Sequence, residues 1–134
     1  MNDEDVNWIR KKLWEWICTT YISSDEMFKK RSLERHIRSM IRHIEEVKPP
    51  DIRVYVEKEL KKDAYSERIS MIWGEATRMK EPNYNRLDEL DKELTETKKK
   101  LKKEFPKFYQ EIGRTIASAG LAIYSKKTGK QVET

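Results

Sequence analysis

The sequence predicts an all-α protein, a helical bundle of about four to five helices with a basic N-terminal helical region. Three observations predict it. Apolar residues recur at intervals of three and four along every long segment, the period of a buried helix face. Glycine and proline number only four each in 134 residues, and the prolines (Pro49, Pro50, Pro82, Pro106) fall between those segments, where helices must stop. One stretch, Ile52-Arg-Val-Tyr-Val, alternates as a strand would. With no convincing partner strand elsewhere, helix is the better assignment.

The length suits a single domain, 1–134. It is organised as basic N-terminal helices over 1–48, a helical bundle over 51–124 and a polar tail over 125–134.

Helix 1 is expected from Asp3 to Tyr21. Val6, Ile9, Leu13, Trp16 and Ile17 form its stripe, and the acids at its start favour the positive end of the helix dipole. Trp8 and Trp14 fall off that stripe, which makes them candidate subunit contacts. Cys18 sits among apolar residues and is expected as a buried thiol. Ser23 with Glu26 reads as a capping box opening helix 2, which runs to Val47. There Lys48-Pro49-Pro50 stops it. Asp51 can cap helix 3. Its first part would bury Ile52, Tyr55, Val56 and Leu60, and its later part Tyr65, Ile69, Ile72, Trp73 and Ala76. The two stripes lie on different faces, so a bend, a break or a change of neighbours is expected near Lys61-Lys62-Asp63. After Glu81-Pro82-Asn83, helix 4 carries Leu87, Leu90, Leu94, Thr97 and Leu101 in the spacing of a coiled-coil seam. Phe105-Pro106 starts or kinks helix 5, faced by Tyr109, Ile112, Ile116 and Ala119/Gly120. Gly113, Ala117 and Gly120 are small enough to let another backbone approach, in the core or between subunits. No internal repeat at a fixed period is visible.

Charge is the other strong signal. The net charge is +5, and it is concentrated. From Met27 to Ile44, six Lys/Arg face one acid, Glu34. From Thr97 to Arg114, seven face two. Within the first patch Arg31, Arg35, Arg38 and Arg42 are spaced four, three, four. On a helix that places them on one narrow face about 16 Å long, opposite Leu33, Ile37, Met40, Ile41 and Ile44. Arginine's planar fork grips phosphate oxygens, so the row reads as a rail for a phosphate backbone. Lys29, Lys30 and the cluster Arg10, Lys11 and Lys12 add to it. Lys98, Lys99, Lys102 and Lys103 form a possible second patch. The two glutamines and four asparagines beside 29 basic and 24 acidic residues give the balance of a hyperthermophile protein.

Several classes of chemistry lack a motif. No Gly-rich phosphate loop, nucleophile elbow or zinc-protease motif is present. A lone cysteine permits neither an intrachain disulfide nor a thiolate cluster. His36 and His43 stand two helical turns apart, too far to share one metal without other ligands. The chain is expected to be no enzyme, with no metal and no cofactor. The acidic start MNDEDVNW lacks a signal-peptide core, and no apolar run reaches the ~18 residues of a membrane span.

Amides that read base edges are absent from the arginine row, so coating is favoured over sequence recognition. The basic N-terminal region (Arg10–Lys12, then Lys29–Arg42), the Pro49-Pro50 break and the small-residue segment Gly113–Gly120 together resemble the major coat proteins of filamentous double-stranded DNA viruses of hyperthermophilic archaea. The resemblance implies N-terminal helices that wrap DNA held in A-form and a bundle that meets neighbouring subunits or a related second coat protein. It implies a virion assembled in the host cytoplasm, in some cases with an envelope. The acidic Asn2-Asp3-Glu4-Asp5 start departs from a simple basic arm. RNA in place of DNA, as in a small helical subunit of an RNA-guided effector complex, stays open at this point. So does a helical protein–protein module without nucleic acid.

Overall fold

A computed structural model of the chain describes residues 1–20 and 25–129. Among these the protein is all-α, with helices α1 (Asp3–Thr20), α2 (Glu26–Val47), α3 (Ile52–Arg78), α4 (Tyr84–Glu104), α5 (Pro106–Glu111) and α6 (Gly113–Thr128). They form two compact units, Met1–Lys61 and Lys62–Thr134. The division falls inside α3, at the Lys61-Lys62-Asp63 position where its two apolar stripes change face. The mismatch in the sequence is the trace of one helix serving two cores.

The first unit holds α1, α2 and the start of α3. α1 and α2 make a helical hairpin whose core is Ile9, Leu13, Ile17, Leu33, Ile37, Met40, Ile44 and Val56. α2 starts at an N-cap Asp25, whose carboxylate accepts from the backbone N–H groups of Met27 and Phe28. That corrects the capping box: Glu26 is the first helical residue, and Ser23 lies outside the described residues. An aspartate beside the first turn also carries the charge the dipole favours. α2 ends with Lys48 in the left-handed region (φ 52°), its N–H donating to the Ile44 carbonyl, directly before Pro49. Asp51 caps α3 by accepting from Val54 N–H at 3.1 Å.

The second unit holds the rest of α3 with α4, α5 and α6. Its core is Ile69, Ile72, Ala76, Leu87, Leu90, Leu94, Leu101, Ile116, Ala119 and Ile123. Burying such side chains contributes roughly 1.5–3 kcal/mol each for the larger ones. Asn83 caps α4 through Arg86 N–H. Arg86 then grips Glu75 of α3 with two donors, at 2.5 and 2.9 Å, and reaches Glu89 at 2.9 Å. Its hydrogen bond holds the Glu75 carboxyl below its ordinary range, against a smaller upward push from desolvation.

Four further expectations need correction. Helix 5 is two helices, because the backbone turns out of the helix at Ile112 (φ −99°, ψ 20°) beside Gly113. Trp73 is 47% exposed, since Ile69, Ile72 and Ala76 fill the centre of that face. Cys18 is exposed, being about 100° round α1 from Ile17. The tail begins later than 125, as α6 runs to Thr128. Lys126 donates to the Met79 carbonyl at 2.6 Å and Lys127 pairs with Asp88 at 2.6 Å. Residues 130–134, with Lys130, lie outside the described residues.

Candidate nucleic-acid interface

α2 fixes the arginine row by its own amphipathicity. Leu33, Ile37, Met40 and Ile44 are buried against α1. At about 100° per residue the opposite face must carry Arg31, Arg35, Arg38 and Arg42. All four are exposed, and none makes an ion pair among the described residues. Glu34, the one acid inside the basic stretch, sits at the edge of the row. It accepts from the Arg10 guanidinium of α1 at 2.5 Å. The guanidinium thus neutralises the one carboxylate of α2 that flanks the row's middle among the described residues.

The other basic residues divide. Lys30 and Lys11 are exposed and unpaired among the described residues. Lys29 is half-buried and lies about 160° round α2 from Arg31, so it stands apart from the row. Arg10 is occupied by Glu34. Lys12 has its ammonium 5.7 Å from the centre of the Trp8 ring, and Arg53 of α3 approaches the same ring at 5.2 Å. Trp8 is therefore a cation platform inside the first unit. Trp8 and Trp14 are both half-buried against that unit's core. His36 turns away from the row and meets the Trp16 ring edge-on at 5.3 Å. At the row's N-terminal end Met27 and Phe28 are 62% and 47% exposed.

In the second unit Lys99, Lys102 and Lys103 are exposed and Lys98 is half-buried. Lys102 lies 5.9 Å from the Tyr109 ring centre. None of the four makes an ion pair among the described residues. Gly113 and Ala117 are on the surface, and a Cβ on Gly113 would meet nothing within 4 Å. Gly120 is half-buried, with Leu94 of α4 3.9 Å from where its Cβ would be. That is an ordinary van der Waals distance, so the α4–α6 contact has room for an alanine there.

Sequence reasoning missed the Arg10–Glu34 pair and the Trp8 platform. The Arg10–Glu34 pair and the Arg53 side of the Trp8 platform join residues far apart in the chain, and no local spacing announces them, whereas Lys12 stands at the i,i+4 helical spacing from Trp8 that signals such a contact. Among the described residues no group of three or more His, Cys, Asp and Glu could hold a metal ion, and no helix is long and apolar enough to cross a membrane. No family model, curated protein or solved structure matches the chain.

Proposed function

We propose that this chain is a non-enzymatic structural protein that binds nucleic acid through the phosphate backbone and coats it. The observation that carries the reading is the row Arg31, Arg35, Arg38 and Arg42: four exposed guanidiniums on one helix face, with no ion pair among the described residues. Side chains in this state are free to donate bidentate hydrogen bonds to phosphate oxygens. A row about 16 Å long spans some four to five phosphates of one strand, at ~3.4 Å of axial rise each. Backbone contact carries no sequence information, and no amide along the row offers a base-edge pattern.

Double-stranded DNA is the proposed partner, and self-association or a related second coat protein the proposed assembly. The virion, the filament and the A-form duplex come from the resemblance to archaeal viral coat proteins. Self-association draws separate support from large apolar side chains left on the second unit's surface: Trp73, Leu121 and Tyr124 are 47%, 39% and 50% exposed.

The test is a salt titration of binding to labelled duplexes of unrelated sequence, read by fluorescence anisotropy. Four phosphate contacts give log K against log salt a slope of about −3.6 or steeper, equal for every sequence. A flat dependence, or strong preference for one sequence, overturns the reading.

A further inference from the structure

The two units repeat one helical order, and the repeat carries a second binding face with it. In the first unit α1 leads to the long helix α2, a proline break and the start of α3. In the second, the later part of α3 leads to the long helix α4, a proline break and α5–α6. The two long helices share four buried positions, although Leu87 is buried where Lys30 is exposed and Ser32 is buried where Glu89 is exposed. α2 buries Leu33, Ile37, Met40 and Ile44. α4 buries Leu90, Leu94, Thr97 and Leu101, each 57 residues on. α2 ends at Val47 before Pro49, and α4 ends at Glu104 before Pro106, again 57 residues on. Both open on a side-chain cap, Asp25 and Asn83. No fixed period shows in the sequence because the first helices keep a different register, with buried Ile9 answered by Ile69.

Equal burial turns the same positions outward: those of Arg31, Arg35, Arg38 and Arg42 are held in α4 by Asp88, Lys92, Thr95 and Lys99, two of them basic. Opposite its apolar row α4 presents Lys92, Lys99 and Lys103 within about 40° of one another, with Lys102 beside them. All four are exposed and make no ion pair among the described residues. From Lys92 to Lys103 the row is as long as that from Arg31 to Arg42. Asp88, at its N-terminal end, is taken up by Lys127. Glu89, at the edge of this face, is taken up by Arg86, and Glu96 lies within it.

We propose that the outer face of α4 is a second nucleic-acid contact, on the same side of its helix as that of α2 but about one turn further on, so that each chain holds phosphates at two rows. The proposal rests on the backbone-binding reading of the arginine row. Lysine supplies compact point charges where α2 supplies forks, so the second row adds affinity through counterion release with little geometric demand. Its occupant is nucleic-acid backbone, on the ground of charge complementarity along a row of matching length.

The experiment compares full-length Lys99→Gln/Lys103→Gln, Lys99→Arg/Lys103→Arg and Arg35→Gln/Arg38→Gln with the parent chain, by salt-titrated anisotropy on one duplex. Far-UV circular dichroism serves as the check on folding. Losing two contacts makes the slope shallower by about 1.8. The proposal expects that change in both glutamine variants and parental behaviour in the Lys→Arg variant. If only the arginine-row variant changes, the second row is refuted and the first stands. If neither changes, the backbone-binding reading fails, and the second row with it. A Lys→Gln loss of equal factor at every salt concentration is structural and overturns the proposal.

Discussion

Neutralising Arg35 and Arg38 together to glutamine is the sharpest probe of the arginine row. Both guanidiniums are exposed, stand opposite the buried Leu33–Ile44 face and make no ion pair among the described residues. Their removal leaves no charge stranded and opens no cavity, so stability should stay within about 0.5 kcal/mol of the parent. Binding is another matter. Each phosphate contact contributes about −0.9 to the slope of log K against log salt. With the contact's free energy vanishing near 1 M salt, two contacts are worth about 1.8 log units at 0.1 M, a loss of about 60-fold. At 0.2 M the same arithmetic gives about 18-fold. The assay is anisotropy of a labelled duplex from 0.05 to 0.5 M salt, with thermal unfolding in parallel. Glu34→Gln supplies the opposite sign. It frees Arg10 from its 2.5 Å pair and removes the acid flanking the row, so affinity should rise by up to about eightfold at 0.1 M. An Arg35→Gln/Arg38→Gln protein that unfolds normally and binds as the parent does would refute the reasoning. So would a loss that does not shrink as salt rises.

Two further outcomes concern the units themselves. Arg86→Met removes the clamp on Glu75 and Glu89. With side chains 35% and 41% exposed for the main pair, it should cost about 1 kcal/mol, the upper end for exposed pairs, or a Tm lower by about 4 °C at pH 7. Because the Glu75 pKa is lowered in the folded chain, that contribution is present above the ordinary value of 4.5 and is lost as pH falls through the depressed one. The Tm gap between parent and variant should therefore narrow progressively as pH falls below 4.5 in circular-dichroism melts. Ser32 is 1% exposed and its hydroxyl finds no hydrogen-bond partner among the described residues. Ser32→Ala should then match or exceed the parent in denaturant midpoint, by up to about 1 kcal/mol, as an unsatisfied buried group is removed.

What the sequence disclosed was whatever one helix decides alone. The 4-3-4 rows of α2 and α4, the proline stops and the Asp51 cap are local, and a 3.6-residue period fixes which face each residue takes. The outward arginine row follows from the same arithmetic, since burying Leu33, Ile37, Met40 and Ile44 leaves those four positions no other side. Two opposed stripes in α3 were visible too, but a stripe does not say which neighbour it meets. Ile112 shows another gap. Gly113 reads as a small contact residue, yet glycine also weakens a helix by about 1 kcal/mol, and here the helix breaks beside it. Trp73 and Asp25 failed for competition: several residues suited one buried face, or one cap, and tertiary packing chose among them. Arg10–Glu34 and Arg53–Trp8 depend on how helices pack, which local spacing does not encode.

The arginine row also has to be weighed against the ordinary chemistry of a solvated helix. Such a helix satisfies its cations with acids three or four residues away, at about 0.2–0.5 kcal/mol per pair. α2 offers four such pairings: Glu34 with Arg31 or Arg38, and Arg42 with Glu45 or Glu46. It makes none of them. Glu34 is drawn off by Arg10 from the neighbouring helix, and Glu45 and Glu46 stay exposed at the row's end. A phosphate meeting this face therefore breaks no internal ion pair, and each contact keeps its full counterion-release contribution. Near 0.1 M salt that contribution is about 1.2 kcal/mol per phosphate, several times what a local pair returns. Leaving the arginines unpaired thus costs the fold little and keeps the face open to the polyanion proposed as its partner.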